Sequence, residues 1–390
     1  MSKRAKLPRN VWTLGFVSML MDLSSEIYHA LLPAFVTIVL GLPATALGAI
    51  DGIAEATASF AKLASGRVSD RNQRRKPLIV IGYGLAALTK PLFPLAANAA
   101  TLMGARFLDR IGKGIRGAPR DAMVADETAP EIRGRAYGLR QSLDTVGALI
   151  APIAAIALMI AFAGDIRLVF WIAAIPAFLS VALAFVALKE PARHVEAAKA
   201  APFFAGFRDL HPATRRLLGI GFLFALARFS EAFLILKGME VGLSQNWSPA
   251  TLVLFNLAFV LLAYPAGTLS DRMAPRTLLM AGLSVLIVGN LVLARADTLP
   301  MLALGTLLWG AHMALTQGIF SRMIADSAPA AKRATAFGAF WFVSGIGTLL
   351  ASVGAGYLWD KDGSSMTFMV SAGVAALAAA MLSLIRPEPA

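Results

Sequence analysis

The sequence predicts an all-α membrane protein with twelve transmembrane helices in two pseudo-symmetric six-helix bundles. Three observations carry this reading. Apolar segments of spanning length recur from end to end. Basic residues gather in alternate links between them. Short motifs in the first half return in the second. Of 390 residues, 57% are hydrophobic and 15% charged, against roughly 25% charged in soluble domains. Mean hydropathy is +0.68, more than a soluble chain of this length can hide.

A spanning helix needs about 20 mostly apolar residues. Twelve runs qualify: 11–39, 46–68, 78–97, 100–124, 134–162, 167–188, 214–238, 249–270, 277–295, 299–321, 334–356 and 366–385. Barrel strands would be shorter and would alternate in polarity. The basic start, MSKRAKLPRN, leads into a long run that contains charges. It reads as a retained helix and not as a cleaved signal.

The links set orientation. RNQRRK at 71–76, EIRGR at 131–135, the 189–213 stretch, RMAPR at 272–276 and AKR at 331–333 are rich in Lys and Arg. The links at 40–45, 98–99, 163–166, 239–248, 296–298 and 357–365 are poor in both. The positive-inside rule then puts both termini in the cytoplasm of a bacterial inner membrane. The formal charge of +13 is explained by these links, so no nucleic-acid partner is expected. The longest polar link, 189–213, divides an N-terminal bundle (1–188) from a C-terminal bundle (214–390). Phe203, Phe204 and Phe207 there suit an interfacial anchor.

The repeats support that division. GRVSDR at 66–71 returns as GTLSDR at 267–272, and AMVADETAP at 122–130 as RMIADSAP at 322–329. Ser24-Ser25-Glu26 has a counterpart in Phe229-Ser230-Glu231. A near-constant offset along the chain is the mark of duplicated halves, as alternating-access carriers have.

Gly66, Asp70, Arg71, Arg75 (or Arg74) and Lys76 resemble the signature loop of the major facilitator superfamily, and Gly267, Asp271, Arg272 and Arg276 its weaker second copy. Arg106 resembles the family's arginine on the fourth helix. Gly138, Gly147 and Pro152 partly resemble the glycine-proline motif of antiporter members, without its dense Gly-Pro pair. The resemblance, to bacterial efflux permeases in particular, implies two six-helix bundles around a cavity and a loop whose Asp70 and arginines lock the cytoplasmic side. It also implies a monomer.

Charges at membrane depth are expensive and are normally paired or cavity-facing. The first helix carries Asp22, Glu26 and His29 within about 60° of one another. The second carries Asp51, Glu55 and Lys62, and the third Lys90. The fourth carries Arg106, Arg110, Lys113 and Arg120 along a stripe, with Asp109, Arg116 and Asp121 beside it. The fifth adds Arg140 and Asp144, and the seventh Arg228 and Glu231. Two readings stand. In one, Asp22, Glu26, Asp51 and Glu55 neutralise Lys62, Lys90, Arg106 and Arg110. In the other, some line a cavity: Asp22, Glu26 or Glu231 couples protons, and Arg106 meets a carboxylate-bearing solute. Asn256 and Gln317 are polar candidates for the same cavity, and His29 and His312 are titratable ones.

A transition-metal cargo held by Asp22, Glu26 and His29 is a further alternative, although the chain has no cysteine. No phosphate-binding loop, H-E-x-x-H or G-x-S-x-G segment is present. Neither an enzyme nor a resident cofactor or metal is therefore expected. The sequence points to proton-coupled export of a small organic solute by alternating access. Uptake of an organic anion or metal chelate is the alternative.

The topology is directly testable, because the chain has no cysteine of its own. A membrane-impermeant maleimide is expected to label Ser244→Cys in intact cells, and Gln73→Cys only after lysis. The opposite pattern contradicts the orientation.

Overall fold

The computed structural model describes residues 7–72, 74–129, 132–190, 210, 212–270, 273–327 and 333–384. Among the described residues the chain is helical, with no strand. The order is α1 Arg9–Ala34, a π-helical continuation Phe35–Val39, α2 Ala44–Asn72, α3 Lys76–Thr89, α4 Leu92–Leu95, α5 Ala99–Glu127, α6 Arg133–Ala161 and α7 Ile166–Ala187. Then come α8 Pro212–Leu226, α9 Ala232–Glu240, α10 Ala250–Ser270, α11 Pro275–Ala294, α12 Leu299–Ser327 and α13 Arg333–Leu384. α3 with α4, and α8 with α9, each make one interrupted span. α13 holds two spans that meet at Gly363, whose φ of 85° only glycine adopts without strain. Twelve spans result.

Six described stretches are apolar enough to cross a membrane by length and composition alone: Lys76–Leu95, Arg135–Ala161, Ile166–Ala187, Pro275–Ala294, Leu299–Thr316 and Ala339–Ser383. α1, α2 and α5 fall short because they carry the ionic residues, and α8–α9 because it is broken. Pro33 near the end of α1 lacks the N–H that an α-helix needs, and the wider π turn follows directly.

The chain packs as two compact units, Met1–Leu32 with Thr57–Ala200, and Pro33–Ala56 with Ala201–Ala390. In the first unit α3 lies against α5 and α7. Val11, Leu14, Val17 and Met21 of α1, Ile79 and Tyr83 of α3 and Met123 and Val124 of α5 form its core, filled in by alanines of α6 and α7. Small residues let backbones approach, as helix contacts in lipid require. A side chain at Gly82 would collide with the Arg116 backbone nitrogen (2.7 Å) and the Gly112 carbonyl (2.8 Å). At one end, Arg75 of the signature loop reaches Asp126 of α5 (Nε to Oδ2, 3.3 Å) and Ser69 Oγ. Its backbone N–H donates to Glu190 (2.6 Å).

In the second unit the sequence leads one to expect an unbroken seventh span over 214–238. It is instead interrupted between Leu226 and Ala232. Backbone groups released there have no water to turn to and need partners inside the protein. A polar relay answers the Ala227 carbonyl: Trp309 Nε1 donates to Asn290 Oδ1 (2.9 Å), Asn290 Nδ2 to Ser371 Oγ (2.8 Å), and Ser371 Oγ to the carbonyl (2.7 Å). The Ser230 N–H donates to Ser352 Oγ and the Ala232 N–H to Ser230 Oγ, both at 3.2 Å. Four buried residues from α11, α12 and α13 thus hold the break open.

Overpacking a close helix contact typically destabilises by about 1–3 kcal/mol. Gly82→Leu is therefore expected to lower the melting temperature of the purified protein. Gly84→Leu, with no atom near its Cβ position, leaves it unchanged.

Candidate functional site

The ionic residues of the first unit sort into three groups. The first is structural. Lys90 Nζ lies 3.0 Å from Asp109 Oδ1 and donates to Ser25 Oγ (3.0 Å). It sits over the rings of Tyr28 (4.9 Å) and Phe93 (5.7 Å). The Tyr28 hydroxyl donates to the Phe170 carbonyl (2.5 Å). The ammonium, its counter-ion and its aromatic walls are all buried. Arg106 and Arg110, also buried, lie in the field of this pair. Asp109 was therefore the partner of Lys90, and not an acid of the first two helices.

The second group is a chain of arginines and aspartates across α5 and α6. Arg120 reaches Asp121 (3.2 Å), Asp144 (3.9 Å) and Ser18 Oγ (3.0 Å). Arg140 pairs with Asp144 one turn away and reaches Asp121 at 3.8 Å. Gly147 makes this possible: a side chain there would strike the Met19 carbonyl (2.6 Å), so α6 lies directly against α1 and brings Asp144 toward Asp22.

The third group is Asp22, Lys113 and Arg116. Asp22 faces Asp144 of α6, Lys113 and Arg116 of α5 and Glu26 of α1, and Arg120 also feels its charge. It makes no hydrogen bond or ion pair among the described residues. Arg116 is 4% exposed, lies over the Tyr83 ring 4.5 Å from its centre, and its Nη1 has no acceptor among the described residues. Tyr83 is fixed by a 2.8 Å hydrogen bond with Ser18 Oγ. Lys113 is exposed and Asp22 half-buried, so the group opens onto an accessible face of its unit. Glu26 differs, because it is held 3.4 Å from His29 Nδ1.

Residues 14–252 and 217–390 match the sequence profile of the Major Facilitator Superfamily. The chain belongs to that family. It is a membrane-spanning secondary transporter by general kind. An uncharacterized MFS-type transporter of Methanocaldococcus jannaschii is 29% identical over 386 residues, covering 97% of this chain and 96% of its own. An uncharacterized protein of Mycobacterium bovis is 28% identical over 388 residues, covering 93% and 90%. The fold is similar to that of the nucleoside transporter NupG, with a TM-score of 0.82, 14% identity, and 97% and 100% of the two chains covered.

In this major facilitator chain the remaining described candidates lie in the second unit. Asp51 accepts from Ser230 Oγ (2.7 Å) at the helix break. Arg228 contacts Met313 Sδ (2.7 Å), sits 5.7 Å from the Phe224 ring centre, and has Glu231 and Glu55 as its acidic neighbours. The buried His312 stacks on Phe224 (5.3 Å), and its Nδ1 meets the Gly282 carbonyl (2.9 Å). Asn256 is partly buried on α10. No group of three or more His, Cys, Asp or Glu placed to hold a metal occurs among the described residues. The side chains of Gly66, Asp70, Arg71, Gly267, Asp271, Arg272 and Gln317 lie outside the described residues, as does most of the 189–213 link.

Sequence reasoning set Lys113 along the stripe of the fourth helix and Arg116 beside it, without joining them to Asp22. The signal was present in the spacing. Asp109, Lys113, Arg116 and Arg120 recur at i, i+4, i+7 and i+11, which puts them on one helix face.

Removing one partner of a buried ion pair destabilises by about 3–5 kcal/mol, whereas replacing both by apolar groups is far milder. Asp109→Leu is expected to abolish or greatly lower thermal stability. The Lys90→Met/Asp109→Leu double variant restores most of it. A double variant as unstable as the single one contradicts the structural role.

Proposed function

We propose that this chain is a proton-coupled carrier of a small organic solute, seated in the bacterial inner membrane with both termini cytoplasmic, and that Asp22 is its proton-binding group. The supporting observation is that Asp22 is half-buried between charges of both signs yet has no direct partner among the described residues. An acid already held by a cation or a hydrogen-bond donor must break that contact to take a proton. Glu26 faces this demand through its contact with His29. Asp22 does not.

The signature loop, by family resemblance, locks the cytoplasmic side through Gly66, Asp70, Arg71 and Arg75, with Gly267, Asp271 and Arg272 as the second copy. Arg75 suits an anchoring part in this, through its contact with Asp126 at the end of α5. Export against an inward proton gradient is the direction the resemblance to efflux permeases favours. Uptake of an organic anion together with a proton is the second reading, favoured by the cation excess on α5.

Coupling one proton to one solute across one pH unit supports about tenfold accumulation. The purified chain in liposomes, tested with labelled benzoate, citrate, maltose and tetraphenylphosphonium, is expected to accumulate or expel at least one of them when a pH step is imposed. Asp22→Asn abolishes the gradient-driven part and keeps solute exchange. If exchange runs in the intact protein but no pH step alters it, proton coupling is wrong. The sign of the response separates export from uptake.

A further inference from the structure

Charge balance along α5 sets the problem. Between Arg106 and Asp121 this helix carries five cations against two acids. Adding the acids Asp22, Glu26 and Asp144 and the cations Lys90 and Arg140 still leaves positive charge in excess. In a membrane-spanning unit that excess calls for a counter-charge. The tightly paired groups, Lys90 with Asp109 and Arg120 and Arg140 with Asp121 and Asp144, already have theirs. Arg106 and Arg110 lie in the field of the Lys90–Asp109 pair, and Lys113 and Arg116, the other two α5 cations, face Asp22.

Arg116 has the form of a prepared receptor. The Tyr83 ring supports one face of its guanidinium at 4.5 Å, and Tyr83 is itself held by Ser18. The planar fork is thereby oriented, and the buried Nη1 is left without an acceptor among the described residues. An unsatisfied buried donor on a charged group is costly. A guanidinium edge fits two oxygens of one oxyanion. Lys113, one turn earlier on the same helix face and exposed, adds a second cation on the accessible side. The acids facing these two cations are Asp22 and, for Lys113, Glu26 as well.

We propose that Arg116 and Lys113 bind the oxyanion head group of the transported solute, a carboxylate or phosphate, in competition with ionised Asp22. The inference rests on the reading of Asp22 as the proton site. When the site is empty, ionised Asp22 balances the two cations through space. An arriving oxyanion takes over that role and is repelled at close range by ionised Asp22; a proton taken up on Asp22 relieves that repulsion and leaves the net charge of the cluster as it was. Asp144, Glu26 and Arg120, the other charges facing Asp22, keep their places throughout. Solute and proton then bind together and leave together, which selects the second reading above, movement of an anion and a proton in the same direction, over export in exchange for a proton.

The test uses the full chain in an uncharged detergent, with melting followed by intrinsic fluorescence. The probes are benzoate, citrate and inorganic phosphate, with chloride-matched controls, at pH 5.5 and 7.5. At least one oxyanion is expected to raise the melting temperature saturably, with half-saturation about tenfold or more weaker at the higher pH. Arg116→Gln and Lys113→Gln each weaken binding by about tenfold or more, and Arg116→Lys recovers part of it. Asp22→Asn binds tightly at both pH values. If Arg116→Gln does not fold, the exposed Lys113→Gln carries the test. The proposal is overturned if the oxyanion effect survives both glutamine variants. It is overturned equally if only maltose, tetraphenylphosphonium or phosphatidylglycerol micelles stabilise the protein, and proton-driven flux of those solutes would leave the Asp22 reading standing. Oxyanion binding that needs Arg116 and Lys113 but keeps its pH dependence in Asp22→Asn overturns the competition and the proton site together.

Discussion

An ionised group at hydrocarbon depth has no bulk water to answer it, so its partner must come from the protein or from a ligand. The first unit is arranged around this demand. Lys90 is enclosed by Asp109, Ser25 and two aromatic rings, and the arginines of α5 and α6 share Asp121 and Asp144. These contacts fix the helices. They also isolate the few charges they leave out. Asp22, Lys113 and Arg116 stand apart from these pairs and face one another through space.

The second unit meets the same demand for backbone groups instead of side chains. Its broken span would leave a carbonyl and amides unanswered, and serine, asparagine and tryptophan side chains supply the missing bonds. Phe224 and Met313 beside Arg228, and Phe229 against Phe233, Trp309 and Phe368, make the surroundings aromatic and soft. Ion pairs join the helices of the first unit, and a relay of neutral groups supports the helix break in the second.

Most of the architecture was legible in the sequence. Hydrophobic run length and basic links depend on the bilayer as solvent and act locally, so they are visible without contacts. The repeated motifs were equally plain. Pairing was harder to read. Lys90 was expected to meet acids of the first two helices, yet Asp109 stands opposite because Gly82 and Gly112 let α3 and α5 approach closely. The break at 227–231 was hidden because Ala-Arg-Phe-Ser-Glu contains no glycine or proline, and what sustains it comes from residues far along the chain. Gly147 was noted only for its resemblance to a motif. Its physical part is to let α6 touch α1, which places Asp144 in the field of Asp22.

These relations join in one central claim, that a proton on Asp22 and an oxyanion on Arg116 and Lys113 bind as a neutral pair. The most direct measurement is calorimetry of oxyanion binding near pH 7 in buffers of different ionisation enthalpy, which counts protons exchanged with solvent. The account predicts uptake approaching about one proton per oxyanion in the intact chain and none in Asp22→Asn. Binding of the oxyanion to the intact chain with no proton taken up would contradict it.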